Sequence, residues 1–245
     1  MVLAVVYYAW TPVRMWCCRR RVAGSVDAAL EELQPAPGED VLEALERAGV
    51  AENTLVLFTS DNGQMPGASV ADPLRAAKGY LYEGGIRVPM MLRWPGRVRA
   101  GAVEATPAIS MDFAPTFLAA AGVRYDPAQF DGVSLLPVAC SGEPLPRDAI
   151  YVHYPHYCYH GNNDMDSVVR SGDYKYLHHY ANAEHELFDL RDDLGERRNL
   201  VDEQPAVAAA MKAKLMDWLQ ATAAELPRPY QEIPAKELPG KKRGG

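Results

Sequence analysis

Three places in this 245-residue chain hold side chains whose types and spacing suit chemistry. Asp61-Asn62-Gly63 sets a carboxylate beside an amide carbonyl, two hard oxygen donors of the kind that hold Ca²⁺ or Mg²⁺, before a glycine that lets the backbone turn tightly. The same tripeptide is a common turn, so the spacing alone leaves ligand pair and plain loop both open. Lys78 opens the run Lys78-Gly79-Tyr80-Leu81-Tyr82-Glu83-Gly84-Gly85-Ile86-Arg87, where an ammonium among glycines can meet an anion as a point charge. Glu83 and Arg87, four apart, are expected to form a structural ion pair. His153-Tyr154-Pro155-His156-Tyr157 sets two imidazoles among aromatic rings, to line a substrate pocket or to finish a wet, aromatic strand. His160, His178, His179 and His185 are expected at the surface or in a hairpin, with the adjacent pair on opposite strand faces.

These residues need elements to position them. Val41, Leu42, Leu45 and Ala48 recur at helical spacing, and Gly49 follows where a C-cap would sit. Thr54-Leu55-Val56-Leu57-Phe58 is a continuous apolar run directly after that helix, which predicts a buried parallel strand. Asp61 and Asn62 then fall beyond its carboxyl end, where ligands gather in open α/β sheets. Val88 to Trp94 reads as a second buried strand, closed by Pro95-Gly96, and Ser110 caps a predicted helix running to Gly122.

The rhythm changes near Ser141. Residues 149–154, 167–170, 174–180 and 186–190 read as strands, with a hairpin turn at Ser171-Gly172-Asp173. Pro205 opens a helix whose Val207, Met211, Leu215, Trp218 and Leu219 share one face. The expected organisation is an unassigned segment over 1–38, an α/β block over 39–142, a small antiparallel α+β subdomain over 143–227 and an extended tail over 228–245.

Composition sets the outer bounds. With 48% hydrophobic and 23% charged residues the chain is an ordinary globular sequence, and a formal net charge of −7 argues against a nucleic-acid partner. Cys17, Cys18, Cys140 and Cys158 make no zinc spacing. The apolar start, Met1 to Trp10, is too short to span a membrane and lacks the order of charges of a signal peptide, so no membrane span is expected and the compartment stays open.

The motifs taken together go further than any one of them. Residues 53–63, then 74–89, Trp94-Pro95-Gly96, Asp112-Phe113-Ala114-Pro115-Thr116 and Asp131-Gly132-Val133-Ser134-Leu135-Leu136-Pro137 resemble segments of the sulfatase family, in the family's order. So do Arg170-Ser171-Gly172-Asp173-Tyr174-Lys175, residues 186–190, Asp193-Leu194-Gly195-Glu196 and Asn199-Leu200. The resemblance covers roughly residues 40 to 227. It implies the C-terminal part of an alkaline-phosphatase-like α/β core followed by the small α+β subdomain. It further implies that Asp61 and Asn62 ligate calcium (in preference to magnesium), that Lys78 contacts the sulfate group, and that His153 and His156 bind substrate. The implied substrate is a sulfate ester, aryl or carbohydrate. Related readings are a phosphoester or phosphonate hydrolase on the same fold, or a non-catalytic remnant that serves interaction.

One departure weighs against activity of the chain as given. The family modifies a Cys or Ser within C/S-x-P-S-R to formylglycine, and no Cys or Ser here stands in that pattern. The family's first pair of acidic metal ligands has no counterpart either. A partial metal site, an inactive chain and self-association through uncovered strand edges are the resulting expectations.

Overall fold

The structure, a computed structural model, describes residues 4–7, 40–65, 72–155 and 165–227. Contacts divide the chain into two compact units, Met1–Asp61 with Pro89–Arg147, and Asn62–Val88 with Asp148–Gly245. Each unit therefore takes two stretches of sequence.

The first unit holds a three-stranded sheet in the order β1-β2-β3. Strand β1, Ala4–Tyr7, pairs parallel with β2, Leu55–Thr59, and gives a strand to the N-terminal segment that the sequence left unassigned. Helix α1, Val41–Arg47, begins at a capping box: Asp40 Oδ1 accepts from the amides of Leu42 and Glu43 at 2.9 Å, and the Asp40 amide donates to Glu43. Its Leu45 packs with Ala51 and Val56, which seats the helix on β2.

Strand β3, Met90–Arg93, runs antiparallel to β2. The sequence predicts a buried strand here. Met90 and Met91 are instead 37% and 58% exposed, since an apolar run does not by itself reveal what covers its faces. Helices α2, Phe113–Ala120, and α3, Leu136–Ser141, complete the unit. Asp112, fully buried, fastens this region. It takes both guanidinium nitrogens of Arg147, at 2.5 and 2.7 Å, and the amides of Ile109 and Val133. Thr116 donates to the Asp112 carbonyl and accepts from Leu135 N–H. The Asp112–Thr116 and Asp131–Pro137 motifs are thus two halves of one structural joint.

The second unit is an antiparallel sheet, β4 to β7 in order: Ala149–Tyr154, Asp166–Ser171, Tyr174–His179 and His185–Asp189. Alternation splits its side chains cleanly between two faces. On one face Val169, Tyr176 and Leu187 meet Ala208, Met211, Leu215 and Leu219 of α4, Pro205–Ala221, and Tyr151 stacks on Trp218 at 4.8 Å. The other face, with Val168, Leu177 and Phe188, receives Leu81 and Tyr82 of the 62–88 segment.

That second face also carries a buried charge. Lys175 Nζ, with a side chain 0% exposed, lies 2.9 Å from Glu83 Oε1 and 2.7 Å from Glu196 Oε1. Glu196 Oε2 accepts the Glu83 amide at 2.6 Å and so caps the one-turn helix Glu83–Ile86. The expected Glu83–Arg87 ion pair is present at 3.3 Å, and this helical turn gives the four-residue spacing its meaning. Burial pushes the Glu83 carboxyl up, but Lys175, Arg170 and Arg87 outweigh it and hold the group below its ordinary value. Burial raises Glu196, with Lys175 offsetting only part.

Lys175→Met keeps most of the volume and removes the charge between two buried carboxylates. The expected loss, read by urea unfolding at neutral pH, is on the order of 3–5 kcal/mol. Adding Glu83→Gln and Glu196→Gln should restore part of it. A single variant within about 1 kcal/mol of the parent would show that the ion cluster contributes little.

Candidate functional site

Asp61 and Asn62 stand just past the end of β2, as the reading of that strand requires. Asp61 is exposed and Asn62 half-buried. The next residues of the chain are held by main-chain hydrogen bonds. The Gly63 amide donates to the Gly85 carbonyl at 2.8 Å, and the Lys78 amide donates to the Gln64 carbonyl at 2.8 Å. A Cβ on Gly63 would lie 1.9 Å from the Gly84 carbonyl oxygen, and one on Gly84 would lie 2.3 Å from that of Ala76, so both positions exclude a side chain. These contacts bring the Lys78 turn beside the Gly63–Gln64 stretch. The Lys78 ammonium, half-buried, forms no ion pair among the described residues.

A charged clamp fixes the turn on both sides of Lys78. Arg75 Nη1 pairs with Glu186 Oε1 at 3.3 Å and donates to the Glu196 carbonyl at 3.0 Å, while its guanidinium lies 3.8 Å over the Tyr82 ring. Tyr82 donates its hydroxyl to Glu186 Oε2 at 2.5 Å. Glu186 is held in turn by His179, whose Nε2 is 3.0 Å from Oε2 and whose Nδ1 is 2.7 Å from Asp166 Oδ1. An imidazole with a carboxylate at each nitrogen is a doubly donating imidazolium. Burial pulls its pKa down, but the bonds to Asp166 and Glu186 reverse this and push it up to about 10. Burial raises Glu186, yet His179, Tyr82 and Arg75 leave it below its ordinary value.

His179, expected at the surface or in a hairpin, closes the β6–β7 hairpin and is buried in this network, not exposed. The sequence holds part of the signal: alternation puts His179 on the same face as Lys175 and Leu177, the face that proves to be covered. The Arg75–Glu186 pairing, 111 residues apart, carries no local signal.

His153 stands elsewhere. It projects from the α4 side of the sheet, whereas the Lys78 turn belongs to the segment on the opposite face. Its Nδ1 meets Ser167 Oγ at 2.6 Å, its Nε2 meets the Glu225 carbonyl at 3.0 Å, and Ser167 is bonded to Tyr180 at 2.9 Å. Both ring nitrogens are therefore engaged within the protein. His156 lies outside the described residues. The structure ties the Lys78 turn to Gly63 and Gln64, the residues that follow Asn62, and places His153 on the other side of the sheet. A cleft lined by Arg75, Glu186, Glu196 and Arg197 has its charges already paired, with Arg197 on Asp72 at 3.5 Å.

Asp61 and Asn62 suit one side of a calcium shell, since both present oxygen and calcium takes 6–8 of them. Among the described residues no group of three or more His, Cys, Asp or Glu converges to supply the rest.

Comparison with known proteins places these observations. The family model for N-sulphoglucosamine sulphohydrolase, C-terminal, matches residues 76–224. A sulfatase of Formosa agariphila is 35% identical over 216 residues, covering 78% of this chain and 39% of that protein. The N-acetylglucosamine-6-O-sulfatase of Bacteroides thetaiotaomicron is 32% identical over 186 residues, 74% of this chain and 32% of that protein. Among solved structures, Ps i-CgsB in complex with k-i-k-neocarrahexaose superposes with a TM-score of 0.64 at 28% identity, over 79% of this chain and 42% of that one. BT4656 in complex with its substrate D-glucosamine-2-N,6-O-disulfate gives 0.60 at 30% identity, over 74% and 36%. The chain spans well under half the length of each of these relatives.

Two outcomes are expected of the site. The folded pKa of His179 is raised, so its stabilising effect is complete below about pH 6.5 and is lost as pH climbs towards about 10. The stability gap between parent and His179→Gln, from urea unfolding across that window, should shrink steadily; a gap that stays constant would remove the imidazolium. Calcium, with only part of its shell here, should bind weakly and raise the melting temperature little. A calorimetric titration giving submicromolar affinity would contradict the partial site.

Proposed function

The chain belongs to the sulfatase family, and we propose that it carries the sulfate-contacting C-terminal portion of an enzyme that hydrolyses sulfate esters, aryl or carbohydrate. The observation that supports this reading is the backbone stitching of 63–64 to 78–85, which holds the Lys78 turn against the residues that follow Asn62. An ammonium with no ion pair among the described residues can meet a sulfate oxygen and stabilise charge developing there. Asp61 and Asn62 would hold a divalent cation, and calcium bound there would polarise sulfate oxygens. His153 is left out of this site, because both its nitrogens already have protein partners.

The fragment taken alone is proposed to be inactive, since the 245 residues contain no C/S-x-P-S-R segment. The exposed Met90 and Met91 on edge strand β3 belong to the same reading, as surface through which the isolated chain self-associates.

A chimera tests the assignment. Residues 40–227 replace the matching region of the Formosa agariphila relative, and hydrolysis of nitrophenyl sulfate is measured beside a phosphonate ester. The chimera is expected to cleave the sulfate ester, the isolated chain to cleave neither, and Lys78→Ala to lower turnover in the chimera by roughly 10²-fold or more. A folded chimera that prefers the phosphonate ester, or that is indifferent to Lys78→Ala, would overturn the reading.

A further inference from the structure

The α4 side of the four-stranded sheet ends in a row of polar side chains directly opposite one another: His153, Ser167, His178 and His185, one from each strand. The first two are bonded to each other. The last two form a pair of their own.

His178 and His185 oppose each other on β6 and β7 at a position where the strands do not exchange hydrogen bonds. The His179 amide reaches the Glu184 carbonyl, and the His185 carbonyl turns away to accept from Asn199 Nδ2. Such non-bonded positions bring facing side chains closest. The rings lie nearly parallel, 20° apart with centroids 4.9 Å apart, and the two Nδ1 atoms are separated by 3.2 Å. Two nitrogens bound at 2.0–2.1 Å to a tetrahedral ion sit about 3.3 Å apart. The gap between the imidazoles is thus already the bite of a chelate, mounted on two paired strands.

We propose that His178 and His185 form a two-imidazole site for a zinc-class divalent ion, separate from the oxygen donors at Asp61 and Asn62. Both rings are half-exposed, so an ion can reach them and water can complete its shell. Imidazole nitrogen suits zinc, nickel and copper and is a poor ligand for calcium.

Lys212 of α4 sets the condition on binding. Its ammonium lies 3.3 Å from His185 Nε2 and donates to it, which leaves the ring proton on His185 Nδ1. That tautomer leaves His185 Nδ1 without a lone pair for an ion. An incoming ion takes both Nδ1 lone pairs. The His185 proton moves from Nδ1 to Nε2, and Lys212 must turn away, with no net proton released. The lysine therefore opposes binding both by its charge and by fixing the wrong tautomer.

Zinc titrated into the full chain at pH 7.5, monitored by calorimetry and by the imidazole NMR signals, tests this. One site is expected, with the signals of His178 and His185 shifting together. His178→Ala and His185→Ala should each weaken binding at least tenfold, with His178→Asn and His185→Asn as milder replacements if folding suffers. Lys212→Gln should tighten it several-fold, an effect that damage to the fold does not produce. Excess calcium and Asp61→Ala should leave it unchanged. Zinc binding indifferent to both histidines would place the metal elsewhere, and no binding at millimolar zinc would leave an imidazole hydrogen bond only; either result overturns the proposal.

Discussion

Lys175 has lost its water and gained two carboxylates, and the second unit is built around that exchange. An ammonium fully removed from solvent is tolerable only with opposite charge in direct contact. The two carboxylates come from different places: Glu83 from the segment on the second sheet face, and Glu196 from the stretch after β7. Glu196 adopts a left-handed backbone, φ 52°, which a glutamate does not choose unaided and which its contacts with Lys175 and the Glu83 amide maintain. Remove the lysine and the helical turn, the strand and the loop after β7 lose what they share. The Glu186 clamp sits on the same sheet face and depends on the same docking, so the placement of Lys78 derives from it in turn.

Local elements are legible in the sequence because their signals are local. The helical spacing of α1, the apolar run of β2, the Gly172 hairpin and the apolar stripe of α4 each need only a dozen residues of context. The burial expected of β3 fails because cover is a tertiary property. His179 departs from its expected place for a related reason: its neighbours in sequence describe a strand, while its charge partners Asp166 and Glu186 come from the strands on either side. The motifs themselves are visible, but their purpose is not. Asp112, Lys175, Glu196 and Asn199 read as marks of a family, and the structure gives them work in holding the fold: a buried carboxylate joint, an ion cluster, and an amide that accepts from Leu187 and Val201.

The division of labour bears on function. Much of what identifies this chain as sulfatase-like is scaffold, and the residues proposed to act on a sulfate ester are few: Lys78 for the sulfate group, with Asp61 and Asn62 for a cation. They are positioned by main chain at glycines that admit no side chain, a rigid arrangement that demands little of neighbouring sequence. His153, tied to Ser167 and to the chain at Glu225, is an example of a histidine spent on closing the fold.

The second unit is split in sequence, and this dictates an order of events during synthesis. Residues 62–88 leave the ribosome first and must stay open while 89–147 are made, since the sheet they cover does not yet exist. When β6 emerges, Lys175 can meet Glu83, but Glu196 is still inside the exit tunnel. The cluster closes only after the stretch beyond β7 has come out. Until then the Lys175 ammonium keeps its water and the second unit stays unfinished, a stage at which chaperones can bind.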